Sequence, residues 1–212
     1  FNKSFDELVY QLHYDDDVIG RYNAASELKN FGKDAIPHLR RAILRDKFYA
    51  VRMSAVESLK QIGGEEVFEH LVFALKDFDA RVRESAVKAL AIFESEKVKD
   101  FLLEKLNDTR NDYVRGAAAY SIGAVKITGA FDILKETLKL DSHRNIIRRG
   151  AFDGFAELMD PLVLPLVKEY IQYKYSYGGM HLLDIQAIDC AMKFSETHRN
   201  EVLDILVTGL NN

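Results

Sequence analysis

Apolar residues recur along the chain in blocks one helical face wide, and the blocks themselves repeat. Val51, Ala55, Val56 and Leu59 stand at i, i+4, i+5 and i+8, the spacing of one broad face of an α-helix. Val82, Ala86, Val87 and Leu90 repeat the block, and Val114, Ala118, Ala119 and Ile122 repeat it again. An arginine follows the first apolar position of each: Arg52, Arg83 and Arg115. Arg21 with Ala24, Ala25 and Leu28 is an earlier copy, and Arg148 with Ala151, Phe152 and Phe155 a later one. These arginines are 31, 31, 32 and 33 residues apart, and Asp15, Asp46, Asp77, Asp108 and Asp141 precede them by six or seven residues. A fixed period in this range belongs to stacked supersecondary units that bury one another's apolar faces.

Each unit reads as two helices. Shorter apolar segments, Ala35 to Leu44, Val67 to Leu75 and Val98 to Leu106, alternate with the arginine blocks. The pattern predicts first helices near 4–14, 34–45, 65–76, 96–107, 129–140 and 161–174. It predicts second helices near 18–31, 49–62, 79–93, 111–126, 144–158 and 181–195, and an unpaired helix near 199–210. The expected fold is all-α: one solenoid domain over residues 1–212, with about six helix pairs plus a terminal helix. Punctuation agrees. Ser4 with Glu7 fits a capping box, Asp160 precedes Pro161 as an N-cap, and Gly32, Gly63-Gly64 and Gly129 fall between helices. Paired alanines in the second helices allow neighbouring axes to approach closely. The sixth unit departs from the pattern. Asp184 stands where the arginine is due, and the stretch from Tyr170 to Gly179 adds length.

The aspartates and arginines read as a structural ladder between consecutive units: Asp15 and Arg21, Asp46 and Arg52, Asp77 and Arg83, Asp108 and Arg115, Asp141 and Arg148. A carboxylate at a turn accepts helix-start N–H groups and pairs with a guanidinium fork. Arg52→Ala or Arg83→Ala is therefore expected to reduce stability before any activity, by roughly 1–3 kcal/mol where the partner carboxylate is buried.

The paired helices, with Asp followed six residues later by Val-Arg, resemble HEAT repeats over residues 4–195. A narrower resemblance starts at Phe1-Asn2-Lys3 and runs through Gln11-Leu12, Asp17-Val18, Arg21, Ala24-Ala25 and Leu28. It is similar to the start of the C-terminal helical domain of prokaryotic zinc aminopeptidases related to aminopeptidase N. That resemblance implies a non-catalytic domain packed on a catalytic body, shaping substrate access, with zinc held upstream. The chain itself contains no His-Glu dipeptide, so no zinc-binding helix can be carried over. The absence of an initial methionine fits a fragment or a processed product. Heterodimeric bilin lyases and some adaptor proteins also carry short HEAT-like repeats, and no residue here selects them.

Composition narrows the function further. The net charge is −4 and tryptophan is absent, which disfavours a nucleic-acid groove and a lesion pocket of the HEAT-like glycosylase kind. Arg40, Arg41 and Arg45, and likewise Arg144, Arg148 and Arg149, form local basic patches that read as solvated helix faces. No apolar run approaches the ~18 residues of a membrane span. The lone Cys190, flanked by Asp189 and Ala191, reads as a buried inert thiol in a reducing, cytoplasmic setting. The histidines His13, His38, His70, His143, His181 and His198 share no metal-ligand spacing, so no metal or cofactor is expected in this chain. Ser54, Ser58 and Ser85 have no nearby His or Asp arrangement that would activate them. The expected partner is a protein or an adjoining domain, with neither nucleic acid nor membrane. Tyr170, Tyr173, Tyr175 and Tyr177 are candidate contacts, since tyrosine is enriched at binding hot spots. Tyr22, Glu57, Tyr120, Asp153 and Glu157 are expected to face outward from the second helices, on the concave side. That acidic and aromatic mixture suits a basic or amine-bearing partner.

Overall fold

The computed structural model describes residues 3–172 and 182–210, and every regular element in them is helical. The chain divides into two compact units, Phe1–Phe93 and Glu94–Asn212. The first unit holds three helix pairs: α1 (Phe5–Tyr14) with α2 (Val18–Glu27), α3 (Ile36–Arg45) with α4 (Tyr49–Ile62), and α5 (Phe68–Ala74) with α6 (Ala80–Ala89). The second holds α7 (Ser95–Leu106) with α8 (Asp112–Val125), α9 (Ala130–Thr137) with α10 (Ile146–Leu158), and α11 (Leu164–Gln172) with α12 (Leu182–Met192), followed by α13 (Arg199–Leu210).

The helices start where the sequence supplies caps. Ser4 and Glu7 close the capping box, with the Ser4 N–H donating to Glu7 Oε2 at 2.7 Å. Asp17, Asp79 and Asn111 cap α2, α6 and α8 through their side-chain oxygens. The ends depart from the periodicity. Helix α2 stops at Glu27 rather than Phe31 and tightens into a 3-10 segment, Leu28–Ala35, broken at Gly32 with φ 57°. Positive φ is cheap for glycine alone, so the turn is set there. Helix α6 stops at Ala89 with a 3-10 turn after it, and α10 starts at Ile146 because Arg144 and Asn145 are left-handed.

Within each unit the repeated apolar blocks form the core. Ala24, Ala25, Leu28, Val51, Ala55, Val56, Leu59, Val82, Ala86, Val87 and Leu90 are all buried in the first unit. Val114, Ala118, Ala119, Ile122, Ile147, Ala151, Phe152 and Phe155 are buried in the second. In the first unit, hydroxyls fasten adjacent second helices: Ser54 Oγ donates to the Tyr22 carbonyl at 3.1 Å, and Ser58 Oγ to the Ala25 carbonyl at 2.8 Å. These serines serve packing, satisfying carbonyls on a neighbouring helix rather than their own.

The charged ladder takes a definite form in the first unit. Asp15, Asp46 and Asp77 each accept the N–H two residues on, at 2.9, 2.8 and 2.8 Å, which folds the turn between paired helices. The arginine six residues after each aspartate clamps the same turn. Arg21 Nη1 donates to the carbonyls of Asp15 and Asp16, Arg52 Nη1 to those of Asp46 and Lys47, and Arg83 Nη1 to those of Asp77 and Phe78. The fork then reaches the next turn. Arg21 Nε donates to Asp46 Oδ2 at 2.7 Å, and Arg52 Nε and Nη2 grip Asp77 at 2.7 and 2.9 Å. The Arg52 and Asp77 side chains are only 2% and 6% exposed.

The second unit uses its arginines differently. Arg115 Nε donates to the Leu106 carbonyl at 2.9 Å, and Arg148 Nε to the Leu138 carbonyl at 2.8 Å. Arg148 also holds Asp141 of its own turn at 2.5 Å, while Asp108 pairs with the neighbouring Arg110. Among the described residues, Arg115 makes no bond to Asp141. Here glycines bring α8 and α10 together. A Cβ added at Gly116 would lie 2.9 Å from the Ile146 carbonyl oxygen, and one at Gly154 2.6 Å from that of Ala119. At Gly123 and Gly150 it would fall inside the backbone of Gly154 and Gly116.

Arg52→Ala leaves the Asp77 carboxylate buried and unpaired, so urea unfolding should show a loss of about 3–5 kcal/mol, above the sequence-based expectation. Arg21→Ala should cost less, since its side chain is 16% exposed. Gly150→Ala should destabilise by roughly 1–3 kcal/mol or more, because backbone has to move. Helix propensity alone gives the opposite sign, a gain of up to about 1 kcal/mol, so a more stable variant would refute the close approach of α8 and α10.

Candidate functional site

The described residues expected on a partner surface have definite places. Tyr22 on α2 is exposed, and Glu157 on α10 is exposed. Glu57 on α4 is half-buried and accepts Ser85 Oγ at 2.9 Å. Tyr120 is half-buried on α8. Asp153 on α10 is also half-buried and accepts from Gln186 Nε2. Glu57 and Asp153 are thus partly committed to packing between second helices. Tyr173, Tyr175 and Tyr177 lie outside the described residues, as does the side chain of Asp184. Tyr170 is a packing residue: its hydroxyl donates to the Leu138 carbonyl at 2.8 Å, and its ring meets Phe152 edge-on.

Other exposed aromatics went unremarked in the sequence because they occupy turn and outer-helix positions. Phe78, in the turn before α6, is 81% exposed and lies 4.2 Å from the Arg52 guanidinium. Tyr10 and Tyr14, 67% and 61% exposed, stand one helical turn apart on α1 with ring centroids 5.3 Å apart. Tyr49 carries the Arg81 guanidinium over its ring at 3.3 Å. Tyrosine and arginine at an open surface have the composition of binding anchors.

One cleft in the first unit gathers charged groups. It encloses about 370 Å³ at the ends of α1 and α3, lined by His13, Tyr14, Asp15, Asp16, Arg21, Arg41, Arg45, Asp46 and Lys47 beside Leu12 and Ala42. Asp15 and Asp46 are already bonded within the fold, as described above. Arg41 lies 5.8 Å from the Tyr14 ring centroid. His13 joins this cleft to the helix interface behind it. Its Nε2 stands 3.4 Å from Nδ1 of His38 on α3, a spacing at which one neutral imidazole donates to the other. Phe5 packs edge-on against His38. This pairing has no local signal, since the two histidines are 25 positions apart and meet only when α1 packs on α3.

Among the described residues, no group of three His, Cys, Asp or Glu side chains could hold a metal ion. No helix among them is long and apolar enough to cross a membrane. Cys190 is buried, and burial, reinforced by the Asp153 charge, pushes its thiol up to about 12.

Burial lowers His13 to about 4, helped by the charge of Arg41 and by His38, while Asp46 opposes the shift. Its neutral form is therefore favoured in the folded state. Between pH 6.5 and about 4 the unfolded chain binds this proton more readily, so stability falls as pH falls through that window. Asp79 and Asp108, held down at about 2 by hydrogen bonds from Arg81 and Arg110, contribute stability that is lost only between pH 3.8 and about 2. Urea midpoints across pH should show both steps. His13→Gln should flatten the upper one and leave the lower one in place. An unchanged upper step would assign it to other groups.

A family model for HEAT repeats matches residues 5–91 and 42–123, together more than half of the chain. No curated protein sequence matches the chain. Among solved structures, the complex of CpcE and CpcF of phycocyanin lyase from Nostoc sp. PCC7120 is similar at 14% identity and a TM-score of 0.63, covering 100% of this chain and 95% of that one. A crystal structure of an engineered protein from the Northeast Structural Genomics Consortium aligns at 17% identity over 99% of this chain and 96% of that one, with a TM-score of 0.46. The first likeness shows a shared fold, the family match agrees with the paired helices and their Asp-Arg turns, and the chain belongs to the HEAT-repeat family.

Proposed function

We propose that this chain is a HEAT-repeat scaffold that holds another protein surface and carries out no reaction of its own. The observation that supports this is a division among its side chains. The acids that repeat along the chain are spent on the fold: Asp46 and Asp77 are bonded to backbone N–H groups and arginine forks, and Asp141 to Arg148. Cys190, the one thiol, is buried and inert. What stands free is contact area, in Tyr10, Tyr14, Tyr22, Phe78 and Tyr113. The similar Nostoc chain is part of a two-protein complex, and the same mode of use suits this one. The acidic balance of the chain disfavours nucleic acid, and a reduced lone cysteine fits a cytoplasmic setting.

A second reading rests on the opening segment. Its resemblance to the start of the aminopeptidase helical domain is joined by the closed capping box at Ser4 and a 2.5 Å bond from Lys3 Nζ to Gln11 Oε1, which fix where α1 begins. In that reading the partner is an adjoining catalytic domain of the same chain, and the zinc belongs to that domain.

The test is the intact mass and cross-linking pattern of the protein purified gently from its native source. A chain near 24.2 kDa cross-linked to a second polypeptide supports the free-standing scaffold. A much longer chain with peptides from a His-Glu-x-x-His helix supports the appended domain. A lone 24.2 kDa chain with no cross-linked partner overturns both.

A further inference from the structure

We propose that the cleft at the ends of α1 and α3 is a docking site for an acidic segment of a partner protein, whose carboxylates are received by Arg41, Arg45 and Lys47. This rests on the scaffold reading and gives it a place and a partner chemistry. The surface is separate from the second-helix face that carries Tyr22 and Glu57.

Part of the charge lining the cleft is spent within the fold, and cations are left over. Three carboxylates and four cations line the cleft. Asp46 is saturated by Arg21 and by the Phe48 N–H, which also uses up Arg21. Asp15 accepts from the Asp17 N–H and from Gln11 Nε2. Among the described residues, Arg41, Arg45 and Lys47 are exposed and make no ion pair, and Asp16 lines the same cleft without a bonded carboxylate. Elsewhere in the unit the repeated arginines are bonded to carboxylates or turn carbonyls. Outside the Arg21–Asp46 pair, three cations stand against the carboxylates of Asp15 and Asp16, so the cleft keeps net positive charge. His13 at the wall is neutral at physiological pH and adds none.

The surroundings favour a peptide over a polyphosphate. Tyr14 lines the cleft and Tyr10 stacks beside it, so apolar side chains of a bound segment gain contact area alongside its carboxylates. The carboxylates of Asp15 and Asp16, which no cation pairs among the described residues, disfavour a ligand with charge at every backbone step. A peptide can space its carboxylates to meet the arginines, and an arginine fork binds a carboxylate in two-pronged fashion.

The test uses the full chain, a fluorescein-labelled peptide alternating Glu and Ala around one Leu, its Lys-for-Glu counterpart, and a single-stranded oligonucleotide of equal charge. The acidic peptide should bind, weaken with salt, and lose about tenfold or more in affinity on Arg41→Glu/Arg45→Glu. Lys47→Glu, at an exposed side chain with no hydrogen bond, should weaken it in the same direction and guards against a misfolded double variant. Lys99→Glu/Lys135→Glu, the same charge change in the second unit, should leave binding within about twofold. Equal losses in the two double variants overturn the proposal, as does tighter binding of the oligonucleotide or of the Lys peptide. The scaffold reading is judged separately: if the charge-reversed variant keeps the cross-linked native partner while the acidic peptide fails, the scaffold stands and this cleft is not its site.

Discussion

The first unit depends on one arrangement, an arginine that clamps its own interhelical turn and, at Arg21 and Arg52, also reaches the carboxylate of the next. It serves because three needs coincide at one point. The turn has free carbonyls, the following turn has an aspartate already oriented by the N–H two residues on, and the guanidinium fork has enough donors for both. For Arg52 all of this happens out of water. Such a pair adds little net stability, but a shift in register would strand two buried charges and is penalised accordingly. The ladder sets how neighbouring helix pairs sit, and the apolar blocks fill the space it defines.

The second unit departs from that arrangement. Aspartate and arginine are six residues apart in the first unit and seven apart at Asp108 to Arg115 and Asp141 to Arg148. The residue added before Arg115 lies in the interhelical turn, since Arg115 stands four residues after its cap Asn111 just as Arg21 and Arg83 stand four after Asp17 and Asp79, and among the described residues its fork makes no bond to Asp141. It is spent on carbonyls of the preceding helix end instead. Cohesion between α8 and α10 then comes from glycine, where Gly116, Gly123, Gly150 and Gly154 let the backbones meet. That replaces directed charge with dispersion between closely packed main chains.

These two solutions explain what the sequence disclosed. Helix pairs, caps and core positions follow from local periodicity, and nearly every element lies within a few residues of its expected place. The ladder partners were legible as residue types, but the difference between six and seven spacing became meaningful only in three dimensions. The glycine seam had a signal, a glycine at both ends of a seven-residue interval in α8 and a four-residue one in α10, yet the same letters also read as weak helix positions. The His13–His38 contact and the cleft beside it had none, because first helices of successive units bring together residues with no periodic relation.

The same accounting bears on function. A repeat family whose fold consumes its aspartates leaves any unpaired cation conspicuous. Arg41 and Arg45 lie on an outer helix face, which by sequence alone reads as ordinary solvated surface. Their setting alters that reading. Next to them Asp15 and Asp46 are tied down, the aromatic rings are exposed, and a concavity is present. Solvation alone requires none of these, whereas recognition of a carboxylate-bearing chain draws on all of them: free donors for the charge, rings for the apolar stem, and a wall of acids that turns away denser polyanions.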